Sequence, residues 1–144
     1  MPNRLFGTDG VRGVANVDLT AALAYRLGMG AVSVLGPRIV VGRDTRRSGS
    51  MLESALQAGI MAAGGTPLCA GVIPPPAVAL LTRVYGAAGG LVISASHNPP
   101  EYNGIKFFGP DGMKASDEAE DSLADFVEAG YAEQAYEPGM GVGK

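Results

Sequence analysis

One stretch decides how this chain folds, and it reads Gly90-Leu91-Val92-Ile93-Ser94-Ala95-Ser96-His97-Asn98-Pro99-Pro100-Glu101-Tyr102-Asn103-Gly104-Ile105-Lys106. Residues 90–94 predict a short apolar strand, and the residues after it form the densest polar loop of the chain. Residues 105–108 predict a further strand, so the chain returns to the sheet after the loop. Open α/β sheets bind ligands at the carboxyl ends of their strands, where this loop delivers a hydroxyl, an imidazole and an amide. A hydroxyl that only caps a turn at a strand end is an equal alternative at this point.

Helix-like and strand-like stretches alternate through the rest of the chain. Ser50 with Glu53 three residues later predicts a capping box at the start of the second helix. Ser116 or Asp117 is predicted to cap the last helix. The alternation predicts an α/β fold with a mixed, mostly parallel sheet, helices on both faces and one antiparallel strand at an edge. The predicted helices cover residues 20–35, 50–63 and 77–85 and a segment after 116, and the predicted strands cover residues 39–41, 67–72, 90–94 and 105–108.

Composition and charge exclude several classes of protein. The 144 residues fit one domain, and with 47% hydrophobic and 17% charged residues the chain is expected to fold rather than remain disordered. A net charge of -3 gives no basic field, which argues against nucleic-acid binding. No apolar run approaches the ~20 residues of a membrane span. The single cysteine, Cys69, is predicted to be a small core residue, and its solitary occurrence predicts a cytoplasmic protein without a disulfide.

Two further segments combine glycine with arginine. The first reads Gly7-Thr8-Asp9-Gly10-Val11-Arg12-Gly13, in which glycines let the backbone approach a ligand and the Arg12 guanidinium suits phosphate oxygens. The second is the loop at residues 42–49, which places three arginines before a helix N-terminus and is a candidate anion site. Asp44 in this loop could belong to such a site or could pair with Arg43 or Arg46 and thereby order the loop. The pairing is the preferred interpretation.

Four separated motifs of the chain together resemble the α-D-phosphohexomutase superfamily. Ser94-Ala95-Ser96-His97-Asn98-Pro99 is similar to its phosphoserine signature, in which the second serine is the phosphorylated one. The string at residues 7–13 is similar to the opening of phosphoglucosamine mutases, and residues 42–49 match the superfamily's Gly-Arg-Asp-x-Arg-x-Ser-Gly pattern. The run at residues 103–106 resembles its Asn-Gly-Ile-Lys motif. Pro74-Pro75-Pro76 departs from the usual Pro-Thr-Pro and puts a helix cap or loop contact in doubt.

The resemblance implies roles for the side chains around the serine. Ser96 would carry the phosphoryl group, Lys106 would do acid–base work, and Arg12 would lie against the phosphoserine. His97 is expected to contact the phosphoryl group because it follows Ser96, although a lone histidine is also compatible with packing or surface exposure. The remaining residues would support the phosphate or the loop, with Asn98 acting through backbone hydrogen bonds: Arg43, Asp44, Arg46 and Asn98.

The resemblance also implies an enzyme larger than this chain. Residues 1–130 would be the first of four domains, and residues 131–144 would begin an interdomain linker. The full enzyme, a homodimer in one interpretation, would interconvert glucosamine 6-phosphate and glucosamine 1-phosphate for cell-wall amino-sugar synthesis. It would act through phosphorylated Ser96 and a bisphosphate intermediate. Mg²⁺ would bind the Ser96 phosphate together with an aspartate loop that lies in the remaining domains. The isolated chain is therefore expected to be inactive.

Other functions remain open at this level. The nearest alternative is a sister mutase that acts on glucose or mannose phosphates, since the sugar-recognition loop of the superfamily has no counterpart here. A serine-dependent phosphatase is a second, and a non-catalytic regulatory module derived from the fold is a third. The acidic residues Asp117, Glu118, Glu120 and Asp121 are expected to form a solvated first helical turn rather than a metal site.

Overall fold

The computed structural model describes residues 5–7, 10–129 and 138–139. Most of the predicted linker, residues 131–144, lies outside the described residues. The described part contains five strands and four helices that alternate over most of the chain. In chain order these are β1 (Val11–Val14), α1 (Ala21–Val34), β2 (Arg38–Arg43), α2 (Gly49–Ala62), β3 (Thr66–Val72), α3 (Pro75–Val84), β4 (Gly89–Ile93), β5 (Tyr102–Phe108) and α4 (Asp117–Ala129).

The five strands form one sheet in the order β1-β5-β4-β2-β3. β2 pairs in parallel with β3 and β4, whereas β5 is antiparallel to both of its neighbours, β4 and β1. Only β5 therefore runs against the others, which confirms the mixed, mostly parallel sheet. The prediction that the antiparallel strand lies at an edge is wrong, because β1 from the N-terminal glycine-rich segment pairs with the outer side of β5.

Helices cover both faces of the sheet, as predicted. Because side chains alternate along a strand, neighbouring residues of β2 and β4 face opposite cores. Val41, Leu91 and Ile93 belong to the larger core, which includes residues of α1, α2 and α4. Val40 and Val92 belong to a smaller core with Val78 of α3. None of the helices in the described ranges is long and apolar enough to cross a membrane.

The predicted capping box of the second helix is wrong. The N-cap of α2 is Ser48, whose side chain makes no capping hydrogen bond, and Ser50 already lies within the helix. Glu53 is not available for capping, because its carboxylate accepts a hydrogen bond from Arg43 Nε at 3.2 Å. The last helix fits its prediction, since Ser116 Oγ accepts a hydrogen bond from the amide of Ala119. α3 begins at Pro75, a position where the missing amide proton of proline costs no hydrogen bond.

Cys69 is exposed, so the prediction that it is a core residue is wrong. It lies in β3, an edge strand of the sheet, which has a neighbouring strand on only one side. Partial desolvation, together with the negative charge of Glu53, raises the pKa of the Cys69 thiol. A raised pKa keeps the sulfur protonated near neutral pH, which argues against a nucleophilic role.

Gly59 lies where the backbones of α1 and α2 approach each other closely. A Cβ at this position would overlap the carbonyl oxygen of Tyr25 and lie 3.0 Å from the amide nitrogen of Met29. Because these are backbone atoms, we expect Gly59→Ala to lower the free energy of unfolding by about 3 kcal/mol, at the upper end of overpacking effects. Chemical denaturation measures this loss.

The matched control for this prediction is Gly30→Ala in α1. A Cβ there would meet only the side chains of Phe126 and Leu123, at 3.2 and 3.3 Å, and side chains can shift. The better helix propensity of alanine, worth about 1 kcal/mol, offsets this crowding. We therefore expect little change in stability, and equal losses in the two variants would contradict the explanation.

Candidate active site

Two loops lie side by side at the carboxyl edge of the sheet. β2 and β4 are parallel neighbours, with Arg43 opposite Ile93 at their ends. The amide of Asp44 donates to the carbonyl of Ile93 at 3.0 Å, so the two loops start in register. The arginine loop at residues 42–49 and the serine loop at residues 94–102 are thus brought together from segments about fifty residues apart.

The serine loop consists of two consecutive turns. The amide of Asn98 donates to the carbonyl of Ala95 at 3.1 Å, and the amide of Tyr102 donates to that of Pro99 at 3.0 Å. Ser96 has a φ of 56°, a left-handed conformation that costs a non-glycine residue on the order of 1–3 kcal/mol. Strain of this kind persists only where surrounding contacts impose it, which makes the conformation of Ser96 a candidate functional feature.

The two serines of the loop differ in exposure and in bonding. Ser94 is buried, and its Oγ accepts a hydrogen bond from the amide of Ser96 at 3.1 Å. Ser96 is exposed, and its own Oγ lies 3.1 Å from Nδ1 of His97. The exposed hydroxyl is therefore that of Ser96, and an imidazole nitrogen lies directly beside it. A phosphoryl group on this oxygen would be within reach of the His97 ring.

Arg12 and Lys106 lie on the same face of the sheet. Arg12 of β1 is opposite Gly104 of β5, and Lys106 follows two residues further along β5. A Cβ at Gly104 would lie 2.9 Å from both Cγ of Arg12 and the carbonyl oxygen of Ser94, so glycine leaves room for the arginine stem beside the end of β4. Lys106 lies inside β5 rather than at its beginning, because the strand already starts at Tyr102.

Gly10 holds the N-terminal motif against β5. It has a φ of 86°, and a Cβ there would overlap the carbonyl oxygen of Ile105 and lie 3.0 Å from Cα of Lys106. Only glycine fits both the conformation and this close approach. Thr8 and Asp9 of the same motif lie outside the described residues.

The arginine loop uses its charges mainly within the protein. Arg43 pairs with Glu53 and donates to the carbonyl of Asp44 at 3.3 Å. Of the two partners that the sequence allowed for Asp44, the structure has Arg46: Oδ2 lies 3.4 Å from its Nε, and Oδ1 accepts from its amide at 3.0 Å. The Arg46 guanidinium group also reaches across to the serine loop, where it donates to four main-chain carbonyls.

Sequence reasoning assigned no role to Asn103, which connects β5 to the arginine loop. It is fully buried, and its Nδ2 donates to Oγ of Ser48 at 2.8 Å. Its Oδ1 accepts a hydrogen bond from the amide of Gly104 at 2.9 Å. A buried amide requires partners for both of its ends, and these contacts supply them. The signal in the sequence was its place in the Asn-Gly-Ile-Lys run at residues 103–106, which by itself identifies no partner.

The described residues contain no group of three or more His, Cys, Asp or Glu side chains placed to hold a metal ion. From the sequence we expect the acidic residues at the start of α4 to be solvated, but not all of them are. Glu120 is buried and pairs with Lys114 at 3.1 Å, so this expectation is wrong for Glu120. The sequence pattern of α4 could not show that Glu120, the fourth residue of the helix, pairs with a lysine that precedes the helix.

Comparison with known proteins places this chain in a family. The family profile described as "Phosphoglucomutase/phosphomannomutase, alpha/beta/alpha domain I" matches residues 3–134. A phosphoglucosamine mutase of Clostridium perfringens is 54% identical over 99% of this chain and 33% of the relative. One of Clostridium botulinum is 62% identical over 83% of this chain and 28% of the relative. The chain therefore belongs to the phosphoglucomutase/phosphomannomutase family and corresponds to its N-terminal domain.

A solved structure supports the same assignment of the fold. The phosphoglucomutase/phosphomannomutase family protein of Burkholderia thailandensis superposes with a TM-score of 0.73 and 29% identity. The match covers 88% of this chain and 30% of that structure. The chain thus spans about a third of the length of the relatives that it matches.

Proposed function

We propose that this domain carries the phosphoryl group of a phosphohexose mutase that interconverts glucosamine 6-phosphate and glucosamine 1-phosphate. The observation that carries the proposal is the exposed Ser96 hydroxyl in a strained turn, 3.1 Å from His97 Nδ1. The similarity to phosphoglucosamine mutases at 54–62% identity supports the choice of the amino sugar. Glucose and mannose phosphates are the alternative substrates, since the family profile is named after enzymes for both.

The proposed reaction moves the phosphoryl group twice. Phosphorylated Ser96 donates it to the free hydroxyl of the sugar phosphate: the P–O bond at Oγ breaks as a new one forms on the sugar, and the sugar hydroxyl proton passes through an acid–base group to Oγ. The resulting bisphosphate then returns its other phosphoryl group to Ser96: its P–O bond to the sugar breaks as the bond to Oγ forms again, and the Ser96 hydroxyl proton passes to the sugar oxygen. Such transfers depend mainly on positioning and charge stabilisation. Lys106 would serve as the acid–base group, while Arg12 and His97 would stabilise charge on the phosphoryl oxygens.

Magnesium, which the family implies, would require ligands from outside the described residues. Mg²⁺ takes about six oxygen ligands with carboxylate help, and Asp44 beside the serine loop is already engaged by Arg46. Of the described residues, Ser96 would contribute a ligand through its phosphate. When bound, the ion would offset the negative charge of the phosphoserine. Within this domain Arg12 and Lys106 would supply the positive charge.

A substrate panel on the full-length protein tests the proposed function. The assay follows glucosamine, glucose and mannose 6-phosphates by ³¹P NMR, with the bisphosphate added to load Ser96. We expect the highest kcat/KM for glucosamine 6-phosphate. Preference for glucose or mannose phosphate would assign a sister mutase, and release of inorganic phosphate without isomerised sugar would assign a phosphatase. Absence of turnover and of phosphoserine would favour a regulatory module.

The 144-residue chain alone is expected to fold without being active. Its strands and helices alternate over most of residues 11–129 and bury two hydrophobic clusters, which favours a cooperative thermal transition. It lacks a group of side chains for the metal in its described part, and we expect it not to convert glucosamine 6-phosphate. Calorimetry and the ³¹P assay measure the two outcomes. Mutase turnover by the purified chain, free of host enzyme, would show that the chemistry is contained in this domain.

A further inference from the structure

The guanidinium group of Arg46 connects the arginine loop to the whole length of the serine loop. Its Nη2 donates to the carbonyl oxygens of Ser96 and Asn98, at 2.8 and 2.7 Å. Its Nη1 donates to the carbonyl oxygens of Pro99 and Tyr102, at 2.7 and 3.0 Å. The side chain is only 12% exposed. The contacts therefore extend from the serine itself to the first residue of β5.

These contacts, together with an ion pair to Asp44, engage all three nitrogens of the guanidinium group. A guanidinium group has five N–H bonds in a fixed planar fork. Nη1 and Nη2 each donate to two main-chain carbonyls, and Nε forms an ion pair with Oδ2 of Asp44 at 3.4 Å. All three nitrogens are therefore engaged within the protein, so the geometry argues against Arg46 as a direct phosphate ligand.

The sequence of the serine loop matches this arrangement. The carbonyls of Asn98 and Pro99 belong to amides whose nitrogens are those of Pro99 and Pro100, so these two amides have no N–H. They can act only as acceptors. Because both carbonyls point towards the largely buried guanidinium group of Arg46, each has a hydrogen-bond donor. Their partially negative oxygens therefore do not face the outer surface of the loop. The two prolines and Arg46 thus form one unit.

The backbone of Ser96 is held on both sides. Its amide donates to Ser94 Oγ at 3.1 Å, and its carbonyl accepts from Arg46 Nη2 at 2.8 Å. These are the contacts that maintain the left-handed φ of 56° and hence the direction of the hydroxyl. We propose that Arg46 is a positioning residue, which acts on phosphoryl transfer by fixing the direction of the Ser96 hydroxyl without contacting the phosphate. This inference rests on the proposed function of Ser96.

The proposal predicts how substitutions of Arg46 affect the full-length enzyme. A displacement of the reacting atom by about 1 Å can cost 100-fold in rate, so we expect Arg46→Ala to lower kcat by about 10- to 100-fold. KM for glucosamine 6-phosphate should stay within about threefold, because the sugar phosphate gains its binding elsewhere. Arg46→Lys should not restore kcat, since one ammonium group cannot span four carbonyls. Ethylguanidinium added to Arg46→Ala should restore part of it.

Hydrogen exchange of the serine-loop amides gives a readout that does not depend on activity. Faster exchange confined to residues 96–103 in Arg46→Ala or Arg46→Lys supports the proposal, and unchanged exchange overturns it. The lysine variant carries this test if the alanine variant does not fold. Arg26→Ala, at an exposed position of α1, is the matched control and should change neither readout.

Kinetics separate this role from that of a phosphate ligand. A large rise in KM with kcat preserved would overturn the proposal, because it is the signature of lost ground-state binding. If the wild-type enzyme forms no phosphoserine, the proposed function fails, whereas the effect of Arg46 on the loop is still decided by hydrogen exchange. The failure of one can thus be distinguished from the failure of the other.

Discussion

Ser96→Ala is expected to abolish mutase turnover and all stable phosphorylation of the full-length enzyme. The variant removes the exposed hydroxyl that lies 3.1 Å from Nδ1 of His97. Loss of a nucleophile that forms a covalent intermediate commonly costs about 10,000-fold or more in kcat. Folding should be preserved, because the left-handed conformation is about as costly for alanine as for serine, and because the side chain is exposed. Steady-state kinetics, phosphopeptide mapping and thermal unfolding measure the three outcomes.

Ser94→Ala is the matched control for this experiment. Ser94 is the other hydroxyl of the loop, but its Oγ is buried and accepts the amide of Ser96. Its loss should weaken the hold on the Ser96 backbone and lower kcat, while the phosphoryl group is still found on Ser96. If mapping places the phosphoryl group on Ser94 in the wild-type enzyme, the assignment of Ser96 is wrong.

The arrangement of strands and helices was predictable because it depends on local patterns. Apolar runs such as Ile39-Val40-Val41 and the helix that Thr20 caps carry their signal within a few neighbouring residues. β1 was not predicted, because it has four residues, includes Gly13 and is paired with residues 102–105. A short strand of this kind is stabilised by pairing with its neighbour rather than by its own sequence, and that neighbour lies some ninety residues away in the chain.

The candidate site was likewise predictable only where its residues lie close together in sequence. Ser96, His97 and Asn98 were apparent because they follow an apolar strand in one continuous motif. The contacts of Arg46 with the serine loop and of Asn103 with Ser48 were not, since both join segments about fifty residues apart. Long-range geometry also decided against the capping box: Glu53 has a helix-capping position in sequence, but Arg43 from the preceding strand takes its carboxylate.

Lys106→Met is expected to have the second-largest effect, lowering kcat of the full-length enzyme by about 100- to 10,000-fold, the usual contribution of a general acid–base group. Lys106 lies on the same face of β5 as Gly104, two residues further along the strand. Gly104 is opposite Arg12 of β1, and its carbonyl accepts a hydrogen bond from the amide of Ser94. Methionine retains most of the apolar stem and removes the ammonium group. Because Lys106 is only half-buried, its substitution should shift the unfolding temperature little.

Lys106→Arg separates proton transfer from charge. Arginine keeps the positive charge near the phosphoryl group but does not give up its proton in proteins. If Lys106 transfers protons, the arginine variant should be nearly as slow as the methionine variant, whereas a purely electrostatic role predicts that arginine restores most of kcat. The pH dependence of kcat provides a second readout, because loss of an acid–base group removes one limb of the profile. Near-normal turnover of Lys106→Met together with a large loss of stability would show that the lysine supports the fold and takes no part in the chemistry.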